Sequence, residues 1–413
     1  MPASAPVARA AASQPASRPA SGTDFAAEAA LLFRVAACGK TTDLPDHLSR
    51  RLVKGHCKEM RGYMIRHRKR IVSTAGPFLA RLRPANLPRK VVYPFGGGDL
   101  LFALTTFPDA EEITTISLER SGSVLVGERL RAGKVSRGEL RRLLHDVVWM
   151  FMRLASVDYN FTTHMTLMEA RAMPMQLSLA LCALALHGFE PVSLRYFRLR
   201  PDGTLRYLDR QELDRGIEQH RLRAEQALAA AQVSPDTGRA SERRALLRRA
   251  RRIAATAPEV FANMELMYRR PGQPPRVYRH IAFNLDDSHL TADPSLLRHL
   301  EAKGRIAAMT KAASYLLWRD DFSRFRGYLL DHMEWMVSDS TGILPMHARP
   351  AGFEQEAFGK FRGAILLTMP ERARDMLKLW RRRSVRPVPF TFGYPDRKDR
   401  SPHLLVTRRA GKT

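Results

Sequence analysis

Apolar and polar positions along the chain follow the patterns of strands and of helices, and residues 91–119 show both patterns most clearly. Residues 91–95, Val-Val-Tyr-Pro-Phe, are a short apolar run bounded by turn residues, which predicts a buried strand. Three glycines follow, and Asp99 is placed to cap a helix that ends at Pro108. Residues 113–118 then predict a second strand, which is followed by Glu119. The segment therefore predicts one βαβ unit.

Helical spacing dominates much of the remaining chain. A Ser-x-x-Glu start at Ser136 and Glu139 precedes apolar residues at helical spacing and predicts a helix over 136–155. Further helices are predicted as two within 26–82, then at 166–187, 211–232, 239–255, 295–300, 312–318 and 322–335, and over most of 353–383. An Asp-Gly turn at 202–203 predicts a hairpin. The predicted strands outside the βαβ unit are 191–199, 204–208, 259–268, 277–284, 385–392 and 403–406.

Alternating strands and helices predict an α/β protein with a Rossmann-like, methyltransferase-like sheet that begins near residue 91. No repeat with a period of 20 to 50 residues is present, which disfavours solenoids and propellers. We expect an Ala/Ser/Pro-rich disordered tail and a helical cap before the sheet, and an arginine-rich helical insertion within it. The predicted segments are 1–24 for the tail, 25–90 for the cap, 91–210 for the α/β core, 211–256 for the insertion and 257–413 for the continuation of the core.

Composition narrows the class of protein. The 413 residues are 45% hydrophobic and 26% charged, which is ordinary for a globular chain and argues against wholesale disorder. No apolar stretch reaches the roughly 18 residues of a membrane span, so an integral membrane protein is not expected. Lys and Arg number 68 against 41 Asp and Glu, giving a net charge of +27. The arginines are densest at Arg243, Arg244, Arg248, Arg249, Arg251 and Arg252, with a second group at 381–383.

This basic density has two interpretations that the sequence leaves open. A cationic surface can bind nucleic acid, anionic lipid or envelope polymers, with an affinity that falls as salt rises. It can equally be a solvated helix face. No RNA-recognition signature, zinc finger or basic zipper accompanies it.

The glycine segment resembles the nucleotide-binding start of class I S-adenosylmethionine-dependent methyltransferases. By position, the resemblance implies that Gly96, Gly97, Gly98 and Asp99 form the cofactor loop and that Glu119 binds the ribose hydroxyls. The chain departs from the family pattern in having three consecutive glycines and no acid just before them. It also lacks an Asp/Asn-Pro-Pro-aromatic sequence. The alternative is a tight βα turn that uses glycine for positive φ and close packing.

The same segment also resembles a family of bacterial proteins to which no activity is attached. The shared pattern is Tyr-Pro-Phe-x-Gly-x-Asp, a following Phe-Pro-x-Ala and a Leu-Glu end. In this chain it comprises Tyr93, Pro94, Phe95, Gly97, Asp99, Phe107, Pro108, Ala110, Leu118 and Glu119. The resemblance extends through residues 311–315 and 338–343.

Two further polar groups are candidates for chemistry. Lys311 and Tyr315 lie at the start of a predicted helix with Ser314, where a lysine and free backbone N–H groups can hold an anion. Helix capping and a packed tyrosine explain the same residues. Asp339 lies in the loop 338–342 and can act as a general base or bind a hydroxylated ligand, or it can close a turn on its own backbone.

Cysteine and histidine patterns indicate no metal site. The three cysteines Cys38, Cys57 and Cys182 lack Cys-x-x-Cys spacing, and no His-Glu-x-x-His helix occurs. A disulfide between Cys38 and Cys57 would favour an exported protein, whereas a free pair suits the cytoplasm. The Ala/Ser/Pro tract is typical both of a segment that follows a removed export signal and of a cytoplasmic tail, so the compartment stays open.

Two functions follow from these patterns. The first is binding of S-adenosylmethionine or a similar nucleotide at Gly96 to Asp99 and Glu119, with methyl transfer to an unknown acceptor. The second is a noncatalytic, exported protein that binds an anionic polymer through the arginines of 243–252. Neither the methyl acceptor nor the oligomeric state can be predicted from the sequence.

Overall fold

A ten-stranded mixed sheet with helices on both faces forms the framework of the protein. The computed structural model describes residues 22–39, 44–157, 174–233, 256–363, 365–381, 385–393 and 401–411, together with the isolated helical positions 245, 247, 250 and 253. The tail at 1–21, the predicted helix segment at 166–173 and most of the helix at 239–255 lie outside the described residues.

The strands in chain order are β1 (Lys90–Pro94), β2 (Glu112–Ser117), β3 (Glu190–Leu199), β4 (Leu205–Tyr207), β5 (Asn263–Arg269), β6 (Arg276–Ala282), β7 (Ile306–Thr310), β8 (Met333–Ser338), β9 (Phe353–Gly359) and β10 (His403–Arg409). Their order across the sheet is β4-β3-β5-β6-β2-β1-β7-β8-β10-β9. Strands β6, β2, β1, β7 and β8 are mutually parallel. Antiparallel strands complete both ends of the sheet.

The α-helices are α1 (Ala26–Val35), α2 (Arg50–His67), α3 (Ser73–Ala80), α4 (Leu100–Thr106), α5 (Leu125–Arg131), α6 (Arg137–Val157), α7 (Met175–His187), α8 (Arg210–Val233), α9 (Asp287–Ala292), α10 (Ser295–Glu301), α11 (Ser323–His332), α12 (Pro345–Ala348), α13 (Ile365–Thr368) and α14 (Pro370–Trp380). A π-helical turn (Arg68–Val72) joins α2 to α3, and 3₁₀ turns lie at Glu259–Phe261, Ser314–Trp318 and Asp320–Phe322. None of the described helices is long and apolar enough to cross a bilayer.

The core lies on both faces of the sheet because side chains alternate along each parallel strand. In β1, Val91 and Tyr93 face the layer built from α1 to α7, whereas Val92 faces the layer of α9 to α12. Helix α7 is apolar all round and almost completely buried, as expected of a helix enclosed by other elements.

Several predicted elements are confirmed with their local signals. Asp99 caps α4 by accepting a hydrogen bond from the Phe102 N–H, and Ser136 accepts one from the Glu139 N–H at the start of α6. The predicted βαβ unit is β1, α4 and β2, and the hairpin about Gly203 is β3 and β4.

The prediction for residues 353–392 is wrong in two places. Residues 353–359 form strand β9, because Phe353 and Ala357 alternate with Glu354 and Glu356 at a period of two. In the described residues 385–393 the structure has an isolated bridge to Arg386 in place of a strand. Pro387 and Pro389 explain this, since proline has no N–H to donate to a ladder. The predicted helix at 312–318 is a short 3₁₀ turn.

Candidate functional site at the carboxyl edge of the sheet

The carboxyl ends of the parallel strands bring together most of the residues singled out in the sequence. Strand β1 lies between β2 and β7. The chain moves from β1 to β2 on one side and later returns to β7 on the other, so the strand order reverses between β1 and β7. In open α/β sheets, ligands bind outside the carboxyl ends at such a reversal.

The three glycines after β1 have different surroundings. A methyl group built on Gly96 would lie 2.5 Å from the Tyr93 ring, and one on Gly98 would lie 2.6 Å from Leu179, so both positions require glycine for close packing. At Gly97, which is half-buried, the neighbours are polar instead. The positive φ of this turn belongs to Phe95, at 59°, and not to the glycines. The expectation that glycine supplies positive φ here is therefore wrong, while the close packing is confirmed.

Glu119 faces the glycine loop. The same methyl group on Gly97 would lie 3.3 Å from Glu119 Oε2, 3.2 Å from Gln176 Nε2 and 3.4 Å from Ser117 Oγ. Ser117 Oγ and both amide atoms of Gln176 are buried, and none has a hydrogen-bond partner within the described part of the chain. Buried polar groups are normally hydrogen-bonded, so this cluster has unused capacity to bind a polar ligand.

His280 holds the Glu119 backbone in place. Its Nε2–H donates to the Glu119 carbonyl at 2.8 Å, which leaves Nδ1 to accept from Thr115 Oγ1 at 3.0 Å. Thr115 Oγ1 lies 2.9 Å from the Tyr278 hydroxyl. Burial lowers the pKa of His280, so the neutral tautomer required by this chain is favoured.

Asp99 is already committed to protein partners. Its carboxylate accepts from the Tyr93 hydroxyl at 2.9 Å and forms an ion pair with Lys311 Nζ at 2.6 Å, in addition to capping α4. Burial and the neighbouring Asp99 carboxylate raise the pKa of Tyr93. The Lys311 ammonium also lies 4.5 Å from the centre of the Phe102 ring. These contacts join the loop after β1 to the loop after β7.

The loop after β8 is held by its own backbone. Asp339 Oδ1 accepts from the Thr341 N–H at 2.8 Å, which is the self-closed turn considered above, and Oδ2 accepts from the Ala312 N–H at 3.0 Å. Asp339 is fully buried. Gly393 covers it from the C-terminal segment, where φ is 75° and a Cβ would lie 2.6 Å from the Asp339 Cβ. A side chain at position 393 would therefore clash.

The remaining candidates lie apart from Gly97. Ser314 and Tyr315 begin the 3₁₀ turn after Lys311; Ser314 Oγ is buried without a partner in the described structure, and Tyr315 packs beside the cluster of α14. The arginines at 243, 244, 248, 249, 251 and 252 lie outside the described residues, so the polymer site proposed there stays a prediction.

Cys38 and Cys57 are joined by a disulfide, and Cys182 is free and buried. The two sulfurs and a ring nitrogen of His56 lie within 4.8 Å of one another, a spacing that can hold a metal. Because a metal binds cysteine as thiolate, the disulfide leaves the pair without that ligand chemistry.

Sequence reasoning missed Ser117, Gln176 and His280. Ser117 is the last residue of β2, so its place at the carboxyl edge followed from the predicted strand and could have been recognised. Gln176 is the one polar amide in an otherwise apolar helical run, which is a usable signal. The contact of His280 with Glu119 joins strands that are distant in sequence, and no local pattern predicts it. No protein-family model, curated protein or solved structure matches this chain.

Proposed function

We propose that the chain binds a nucleoside-containing ligand, S-adenosylmethionine first among them, at the glycine loop. The observation that carries the proposal is the polar cluster around Gly97: the Glu119 carboxylate, the Ser117 hydroxyl and the Gln176 amide meet at one half-buried glycine. Their position at the carboxyl edge, beside the reversal of strand order, is where α/β sheets bind nucleotides.

The strand order supports a Rossmann-like sheet. The order β6-β2-β1-β7-β8 corresponds to 3-2-1-4-5 of the doubly wound dinucleotide fold. Strand β10 runs antiparallel between β8 and β9. The acid that the resemblance assigns to the ribose, Glu119, faces the loop assigned to the cofactor.

The residues present fit an adenosyl ligand. A carboxylate such as that of Glu119 accepts hydrogen bonds from two ribose hydroxyls, and Ser117 and Gln176 offer further donors and acceptors to polar ligand atoms. Leu118, beside the acid, is 63% exposed and offers an apolar surface for a base. When bound, S-adenosylmethionine supplies an electrophilic methyl group.

Methyl transfer is the activity that the resemblance attaches to such a site. The protein would contribute alignment of the donor with an acceptor, since proximity supplies most of the rate of such a reaction. Asp99 and Lys311 satisfy each other, and Asp339 accepts from the N–H groups of Thr341 and Ala312, so their role is to fix the shape of the carboxyl edge. We assign no general base.

Calorimetric titration with S-adenosylmethionine, S-adenosylhomocysteine and adenosine tests this function. Micromolar binding, which corresponds to a binding free energy of about 8 kcal/mol, is the expected result for S-adenosylmethionine or S-adenosylhomocysteine. Binding of adenosine alone would retain the nucleoside site and remove the methyl-donor assignment. If the folded protein binds none of the three, the glycine loop is purely architectural and the proposal fails.

Two pairs of variants separate binding from folding. Glu119→Gln and Gly97→Ala should each weaken binding at least tenfold, the first by removing the acceptor charge and the second by filling the cradle. Glu111→Gln is the matched control for the acid, because Glu111 lies before β2 at the opposite edge of the sheet and pairs with Arg89. Gly327→Ala is the control for the glycine, because a Cβ there meets nothing within 4 Å. Equal affinities in all four variants would contradict the site.

A further inference from the structure

The solvent face of α2 carries an unbroken line of cations that sequence patterns did not single out. Arg51, Lys54, Lys58 and Arg61 are all exposed and follow one another at three- and four-residue spacing, so they lie on one side of the helix. The opposite side is buried against the core through residues that include Val53, Met60 and Met64. The four cations have no ion-pair partner among the described residues.

Exposed basic residues are also frequent around these four positions. From Arg50 to Arg70 the exposed charged side chains are nine basic residues against one acid, Glu59. Helix α6 packs beside α2 and adds the exposed Arg141 and Arg142. The like charges of Arg51, Lys54, Lys58 and Arg61 repel one another, so their concentration on one surface costs stability unless an anionic partner is bound.

An apolar residue stands in the same line. Ile65 follows Arg61 by four residues and Lys58 by seven, and it is 64% exposed. A row of cations with an isolated aliphatic side chain suits a bilayer surface, where the charges meet lipid phosphates and the apolar group enters the acyl boundary. Surfaces that bind single-stranded nucleic acid instead add aromatic platforms on which bases stack, and this line contains no aromatic residue.

The disulfide on the buried side of α2 is consistent with that partner. Cys57 joins this helix to Cys38 at the end of the α1 region. Disulfides persist in oxidising compartments such as the periplasm and the cell surface, which are bounded by bilayers. We propose that the α2 face, defined as Arg51, Lys54, Lys58, Arg61 and Ile65, docks the protein peripherally on a bilayer containing anionic phospholipid.

Vesicle co-sedimentation of the full, disulfide-bonded chain tests the proposal. We expect binding to vesicles of phosphatidylcholine with about 30% phosphatidylglycerol and none to phosphatidylcholine alone, with an affinity that falls as salt rises. The triple variant Lys54→Gln, Lys58→Gln and Arg61→Gln should weaken binding roughly a hundredfold. Thermal unfolding of both proteins establishes that the exposed substitutions leave the fold intact.

The matched control removes the same charge elsewhere. Arg200, Arg324 and Arg349 are exposed and without an ion-pair partner in the described structure, and they lie on other elements. Their triple change to Gln should leave vesicle binding within about twofold of the parent, since the lipid field acts only close to the surface. Equal losses in the two triple variants would assign binding to the overall charge of the chain and overturn the α2 face.

Two further outcomes would overturn the lipid assignment. The first is a parent protein that does not sediment with anionic vesicles. The second is binding of a fluorescent oligonucleotide that depends on Lys54, Lys58 and Arg61 while vesicles do not bind. Ile65→Ser should weaken vesicle binding severalfold without changing its salt dependence, because it removes only the apolar contact of the α2 face; an unchanged affinity would overturn the α2 face as defined. These outcomes do not depend on whether the glycine loop binds a nucleoside.

Discussion

At the scale of single residues, the ion pair between Asp99 and Lys311 is the contact that most defines the carboxyl edge. The side chains are 9% and 3% exposed, and they follow the two strands between which the strand order reverses. A buried pair gains less from attraction than it would lose if one partner were left alone, because the remaining charge is desolvated without compensation. The pair therefore fixes the loop after β1 against the loop after β7, and we call it a structural lock.

Removing one partner should reveal this lock. We expect Lys311→Met to lower the free energy of unfolding by about 3–5 kcal/mol, and the double variant with Asp99→Asn to recover much of that loss. Lys378→Met, which breaks the exposed pair with Asp375, should cost about 1 kcal/mol or less. Urea denaturation measures all three. A Lys311→Met protein as stable as the Lys378→Met control would show that the buried pair is not a structural lock.

At the scale of elements, the sequence predicted best where local signals and tertiary environment agree. The apolar run of β1 and the Asp99 cap lie within ten residues of each other, and both are confirmed. Strand β9 was missed because a short alternating segment beside helix formers reads as helix until β10 pairs with it. The positions of Gln176 beside Gly97 and of His280 against Glu119 depend on elements far along the chain, so the polar cluster could be predicted only in part.

The disulfide couples two of the N-terminal helices. Cys38 lies after α1 and Cys57 within α2, 19 positions apart in sequence. Closing a loop of this size lowers the conformational entropy of the unfolded chain, which raises the free energy of unfolding by about 3 kcal/mol. The double variant Cys38→Ser and Cys57→Ser should be destabilised by that amount, whereas Cys182→Ser should respond to reductant as the parent does. If a thiol reductant leaves the parent's unfolding midpoint unchanged, the disulfide does not contribute to stability.

At the scale of the whole molecule, the two proposed binding sites lie on different surfaces. The polar cluster lies at the carboxyl edge, whereas the α2 face lies on the outside of the first helical layer. The net charge of +27 predicted a basic surface, but the density of arginines along the sequence placed that surface at residues 243–252 rather than on α2. Density in sequence does not report which cations lack acidic neighbours in space, and that distinction requires the fold.

Buried histidines in several layers should make the whole fold sensitive to acid. Burial lowers the pKa values of His67, His187 and His299 from 6.5 to about 4. Below pH 6.5 the unfolded chain therefore binds protons that the folded chain does not, and stability falls between pH 6.5 and 4. Each histidine contributes a slope of up to about 1.4 kcal/mol per pH unit in that window.

Urea denaturation between about pH 7.5 and 5 should show this fall in the free energy of unfolding, and His187→Gln should make the fall shallower. A parent protein whose stability stays constant or rises toward pH 5 would contradict neutral burial of these imidazoles.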